Sequence, residues 1–194
     1  MRPPVDEGRL RELARSLGRV ASAPTRIYLT GGATAVIEGW RGSTMDVDLR
    51  FEPDVDELLR ELPALKERLS INIELASPPD CIPELPDWRE RSPLVFQEGN
   101  VYVHHFDFYS QALAKIERGF NLDLEDVRRM IEDGLVDPIR LRDLYEAMSP
   151  TCIATRRSTR RCSVARWRRR SAERLGKGRE GRGFRCSASV DRQV

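Results

Sequence analysis

Residues 45–51, Met-Asp-Val-Asp-Leu-Arg-Phe, alternate at every position between an apolar and a charged side chain. An extended strand sends successive side chains to opposite faces, whereas a helix would scatter these residues around its circumference. The segment therefore reads as a strand with one buried face, and Asp46 and Asp48 leave together from the other. Two carboxylates so placed repel, and both stay ionised most readily when a cation lies between them. Taken alone, a pair of this kind also occurs on ordinary solvated strands, so its neighbours decide what it means.

The neighbours are regular. Asp6 can cap a first helix, with Leu10, Leu13, Leu17 and Val20 forming an apolar stripe. Residues 26–30, RIYLT, read as a strand that ends in a tight turn at Gly31-Gly32, and residues 33–40 suit a short helix. Residues 55–69 form a helix expected to bend or break near Pro63. Residues 71–75 repeat the alternation, with Ile71, Ile73 and Leu75 on one face and Asn72 and Glu74 on the other. A proline-rich loop from Pro78 to Pro93 leads to a further strand at 101–108. Three helices follow: around 110–119, around 122–134 ending at Gly134, and from Asp137-Pro138 with Ile139, Leu141, Leu144 and Met148. The expectation is an α+β, mixed α/β domain over residues 1–148: a small mixed β-sheet flanked by helices, with a helical C-terminal part.

Charge divides the chain near Pro150. Residues 1–148 carry a net charge of −9 and residues 149–194 a net charge of +11. The second stretch is rich in Arg and Ser, holds Cys152, Cys162 and Cys186, and shows no sustained helical or strand period. One reading is a disordered basic arm that binds nucleic acid through phosphates. The preferred reading is a frameshift product, since Arg, Ser, Cys and Trp enrichment is what a GC-rich gene gives when read out of frame. One permitted back-translation of residues 150–174, read from the third base of the Pro150 codon, yields an amphipathic helix opened by Asp-Pro. The four cysteines lack zinc or CxxC spacing and read as free thiols. No apolar run is long enough to span a bilayer and the N-terminus lacks an apolar core, so no membrane partner and a cytoplasmic location are expected.

Around the Asp46/Asp48 strand the chemistry gathers. A strand followed by Gly31-Gly32 and a helix places backbone N–H groups where phosphate could sit. Thr30, Thr34 and Thr44 could add hydroxyl donors, Arg41 a charge and Glu74 a third carboxylate. Mg²⁺ suits such a site, because it is a hard ion held by one or two carboxylates and by substrate phosphates. His104 and His105 must face opposite ways on their strand and cannot jointly bind one metal. Trp40 and Trp88 read as packing residues, with Trp40 near enough to the glycine turn to underlie a base. Asp107 shares the face of His105, precedes the lysine helix, and reads only as a group that could support the site from behind.

The segment YLTGGATAVIEGWRGSTMDVDLRF resembles the signature of the nucleotidyltransferase superfamily: hydrophobic-Gly-Gly/Ser, a short helix, then alternating hydrophobic and Asp. The likeness extends through INIELASP, where the family places a third acid, and QALAKIERGFNLDLEDV, which looks like a motif of AbiEii-like toxins. It is nearest to small bacterial members of uncharacterised function and spans nearly all of residues 25–148. The resemblance implies a nucleotidyltransferase fold and Mg²⁺-dependent transfer of a nucleoside monophosphate from an NTP to an acceptor hydroxyl on RNA (a tRNA end), a protein or a small molecule. It implies that Gly31 and Gly32 cradle the triphosphate and that Asp46, Asp48 and Glu74 hold Mg²⁺. Lys115 would contact a phosphate or the acceptor, while Arg118, Asp123 and Asp126 would brace the helix pair. This chain departs in having Glu rather than Asp as third acid and Gly-Gly rather than Gly-Ser. The alternative is a catalytically silent nucleotide-binding or toxin–antitoxin module of the same fold, with a cognate antitoxin or operon partner. The charge of −9 over residues 1–148 argues against a broad nucleic-acid groove.

Overall fold

The computed structural model describes residues 2–154, with the backbone alone at 149–154. Residues 155–194, on which the expectations for the basic tail mostly fall, lie outside the described residues. The chain runs α1 (Glu7–Val20), β1 (Thr25–Thr30), α2 (Gly31–Ile37), β2 (Asp46–Glu52), α3 (Asp56–Arg68) and β3 (Asn72–Leu75). A 3₁₀ turn at Pro78–Asp80 precedes β4 (Leu94–Glu98), β5 (Val101–His105), α4 (Phe108–Arg118), α5 (Asn121–Glu132) and α6 (Pro138–Ala154). This is a mixed α/β architecture. Its helix ends follow local chemistry: Asp6 accepts from the Arg9 N–H at 2.9 Å, and Asp137 accepts from the Arg140 N–H at 2.7 Å.

The five strands lie in the order β3-β2-β1-β5-β4. β1 is antiparallel to β2 and parallel to β5; β2 is parallel to β3, and β4 is antiparallel to β5. One face of the sheet offers Ile27, Leu29, Val47, Leu49, Phe51, Val101 and Val103 to a core shared with the apolar stripes of α1 and α3. On the opposite face Tyr28 joins Trp88 and Phe106, whose rings stack at 4.2 Å. β2 divides as its alternation requires, with Val47, Leu49 and Phe51 inside and Asp46, Asp48 and Arg50 on the far side.

Four details differ from the sequence-based expectation. α3 is one helix with Pro63 inside it. Pro63 lies on the exposed side, so the hydrogen bond it cannot make is lost where water can replace it, while Leu58, Leu62 and Leu65 stay anchored in the core. Met45 and Leu75 fall at or beyond strand ends and are largely exposed. β4, in a stretch to which the sequence assigns no element, pairs with β5 across a two-residue turn at Gly99-Asn100, with Gly99 at φ +58°. Residues 106–108, expected to continue the last strand, instead turn into α4, because Asp107 caps that helix through the Tyr109 and Ser110 N–H groups.

That hairpin packs on α1 at nearly backbone distance. A Cβ on Gly18 would lie 2.2 Å from the Glu98 carbonyl oxygen, and a Cβ on Gly99 would lie 2.9 Å from the Gly18 carbonyl oxygen. Gly18→Ala should therefore destabilise the fold by about 1–3 kcal/mol, overriding the helix propensity gained. Gly8→Ala, whose added methyl meets only Asp6 at 3.4 Å, should be neutral or stabilising by up to about 1 kcal/mol. Urea midpoints at constant slope test the pair. A Gly18→Ala midpoint at or above wild type would show that the hairpin does not dock so closely.

Candidate functional site

Strand register brings the acidic residues together. β1 and β2 pair Thr30 with Asp48, while β2 and β3 pair Asp46 with Asn72 and Asp48 with Glu74. Asp48 thus sits between Thr30 and Glu74, with Asp46 two residues away on the same face. The Asn72 side-chain amide donates to Asp46 Oδ1 at 2.7 Å and to Glu74 Oε1 at 3.3 Å, holding these two exposed carboxylates beside one another. Among the described residues, no three His, Cys, Asp or Glu side chains are gathered closely enough to hold a metal ion as they stand.

The Gly-Gly corner meets β2 from the side. Gly31 adopts φ +62°, and a Cβ there would lie 2.7 Å from Asp48 Oδ2. Only glycine combines that backbone conformation with that proximity. Its N–H donates to Gln111 Oε1 at 3.1 Å, the Thr30 hydroxyl donates to the same oxygen at 3.3 Å, and Gln111 Nε2 donates to the Phe106 carbonyl at 2.8 Å. Gly32 makes room in turn for Thr44, whose Oγ1 would be 2.1 Å from an added Cβ and donates to the Asp46 carbonyl at 3.0 Å. Thr34 is fully buried, with its hydroxyl donated to the Leu29 carbonyl at 3.2 Å. It also lies 3.3 Å from His105 Nδ1, while His105 Nε2 is 2.8 Å from Glu38. Burial pushes the His105 imidazole down to about 4. His104 faces the other way, its Nδ1 3.0 Å from the Ser92 carbonyl. Trp40 donates to Asp133 at 2.7 Å, tying the end of α2 to α5.

Opposite the carboxylates stands α4. Asp107 starts it, accepting from the Tyr109 and Ser110 N–H groups and from Arg91 through two bonds of 3.0 Å. Gln111, Ala114, Lys115 and Arg118 then follow one helical stripe and line a cleft of about 80 Å³ with Thr30, Gly31, Asp48 and the loop 76–81. Lys115 is 3% exposed and commits two of its three donors to Asp123 Oδ1 at 3.0 Å and Asp126 Oδ2 at 2.6 Å. Arg41 donates to that same Asp126 oxygen at 2.6 Å, and Arg118 to Asp123 Oδ1 at 2.8 Å. Of the residues singled out in the sequence, Thr30, Gly31, Asp48, Lys115 and Arg118 share this cleft. Asp46 and Glu74 neighbour Asp48 in β2 and β3 without lining the cleft, Gly32 and Thr44 pack against each other, Thr34 is bonded to Leu29, and Arg41 is bonded to the Asp126 oxygen that Lys115 also holds. Gln111 and the loop around Ser77 and Cys81 were not anticipated. Gln111 could have been found from its place one turn before Lys115; the loop carries no sequence signal.

Asp48 bears the electrostatic consequence. Its carboxyl is raised to about 6, by burial first and by Glu74 and Asp46 besides, with Arg118 and Lys115 pulling the other way. The folded state therefore binds this proton more tightly than the unfolded chain. Ionised Asp48 costs stability above pH 6, and the cost vanishes below about pH 4. In metal-free buffer Asp48→Asn should stabilise the protein at pH 7 by at most about 3 kcal/mol, less after solvent screening. The gain should grow between pH 4 and 6. Measured as wild type against variant, other titrating groups cancel; a pH-independent difference would contradict this account of the cluster. Lys115→Met should act oppositely and cost about 3 kcal/mol, since it leaves two buried carboxylates with one cation each. A melting temperature equal to wild type would show that Lys115 is not a brace.

No family model matches the chain, and neither a curated protein nor a solved structure matches it at a significant level.

Proposed function

We propose that the chain is a Mg²⁺-dependent nucleotidyltransferase that moves a nucleoside monophosphate from an NTP to an acceptor hydroxyl. The observation that carries this reading is the position of Asp48, set by register between Thr30 and Glu74, pressed against Gly31 and facing Lys115 and Arg118 across a cleft. A carboxylate wall opposite a cationic wall suits a ligand that is itself a cation bound to a polyphosphate. Asp46, Asp48 and Glu74 would be the donors to Mg²⁺: they offer hard oxygens, Glu74 and Asp46 add to the burial that raises the Asp48 carboxyl, and a cation drawing the three closer than they now stand would relieve that strain. With Mg²⁺ bound there, the chemistry supplied is polarisation of the acceptor hydroxyl and neutralisation of the departing pyrophosphate. The protein's own part is positioning. Gln111 fixes the Thr30-Gly31 corner, Asn72 keeps Asp46 beside Glu74, and the Lys115–Asp123–Asp126 cluster holds α4 and α5 as one wall.

A second reading, a catalytically silent nucleotide-binding module, draws on two facts: the Gly31 amide is already satisfied by Gln111, and Asp46 and Glu74 are drawn to Asn72. One experiment separates the two. The protein is incubated with Mg²⁺, each α-labelled NTP, bulk RNA and cell lysate. Label transferred to an acceptor should be abolished by Asp46→Ala with Asp48→Ala while the fold persists. Binding of NTP without transfer would favour the silent module, and transfer that survives the double substitution would defeat the enzyme assignment to this site.

A further inference from the structure

The ion cluster behind the cleft is not electrically balanced. Lys115, Arg41 and Arg118 share two carboxylates, Asp123 and Asp126, so the group carries one cation in excess. Where that excess is presented follows from burial. The Lys115 side chain is 4% exposed and bonded to both carboxylates, the Arg41 side chain is 22% exposed and bonded to Asp126, and the Arg118 side chain is 41% exposed. Arg118 gives one guanidinium nitrogen to Asp123 Oδ1, an oxygen that Lys115 also serves. Its remaining donors form a planar fork suited to phosphate oxygens. It also lines the cleft shared with Asp48 and Ser77.

We infer that Arg118, rather than Lys115, is the side chain that binds the anionic polyphosphate of the ligand, with Lys115 serving as the buried brace that aims it. The inference rests on the nucleotidyltransferase reading for the identity of the ligand, but its chemistry requires only a polyphosphate. Asp123 sets the orientation of the guanidinium, as a carboxylate typically does for an anion-binding arginine. Because Lys115 continues to neutralise Asp123 when Arg118 is removed, Arg118 can be altered without stranding a buried charge. Asp80, the other carboxylate lining this end of the cleft, is engaged by the Ser77 N–H at 2.7 Å.

The test measures binding of ATP, CTP, GTP and UTP, and separately of inorganic tripolyphosphate, all with Mg²⁺, by calorimetry on the full chain. Arg118→Gln should weaken binding of both probes by at least about tenfold, the loss expected for a hydrogen bond to a charged group, while melting within a degree or two of wild type. Arg118→Lys, which keeps the charge but not the fork, should fall between. Lys115→Met should lower the melting temperature and, once folded at low temperature, weaken tripolyphosphate binding less than Arg118→Gln does; an equal or larger loss would make the lysine the phosphate ligand and overturn the inference. Wild-type affinity in Arg118→Gln overturns the inference and leaves the enzyme reading intact. Arg118-dependent binding of tripolyphosphate without any NTP binding upholds the inference and removes the nucleotide. No binding of either probe by the wild type overturns both.

Discussion

Pairing of β1 with β2 sets Thr30 opposite Asp48, and so places a half-buried carboxylate against the one backbone position that has no side chain to collide with it. The rest of the site is arranged around that contact. Gly31 must be at positive φ to end β1 and begin α2 within a single residue, and it must lack a Cβ because Asp48 Oδ2 lies where that atom would stand. Gln111 makes the corner durable by accepting from both Thr30 and Gly31, which would otherwise be buried donors without partners. Since Gln111 belongs to α4, the same bonds fix the distance between the acidic strand and the basic helix.

α4 in turn is held from both ends. Asp107, fully buried, caps its first turn and is gripped by Arg91; Lys115 ties its last turns to Asp123 and Asp126 of α5. Buried ion pairs of this kind contribute little net stability when compared with apolar packing, because desolvation offsets the attraction. Their consequence is geometric: the lysine can be satisfied only when both aspartates are in place, so α4 and α5 have one relative position that leaves no charge unpaired. A cleft whose opposing walls must sit at a fixed separation is the setting in which that specificity matters.

The strands that alternate were legible in the sequence, and so were the caps at Asp6 and Asp137, though not the one at Asp107. Period-2 patterning at 45–51 and 71–75 forces one register of faces, which is why Asp46, Asp48 and Glu74 could be placed on one side before any coordinates. β4 was hidden because Pro93 draws attention to the loop and its burial is weak, with Leu94 exposed and a bulge between Leu94 and Phe96. The signal was present in Gly99-Asn100, a two-residue turn between β-prone runs. The loop 76–81 carries no sequence signal, and Gln111, whose place one turn before Lys115 was legible, kept its role hidden for a different reason. A buried glutamine matters through the atoms it meets, Thr30 and Gly31, which lie some eighty residues away in the chain.

The two glycines show how far a motif can carry. Read as a string, Gly31-Gly32 after a strand suggests bare amides turned toward a phosphate. In the fold, the first amide is bonded to Gln111, and the missing Cβ atoms are filled by neighbours: Asp48 beside Gly31 and Thr44 beside Gly32. The pair is therefore required by β2 whether or not a ligand ever touches it. Glycine here admits the carboxylate strand to the corner, and the positive charge at the cleft comes instead from the helix opposite. The residue types of the motif follow from sterics within the protein, and the roles of its charged members follow from which of them the core has already neutralised. Lys115 is neutralised by two aspartates, whereas Arg118 shares one of them and stands at the cleft.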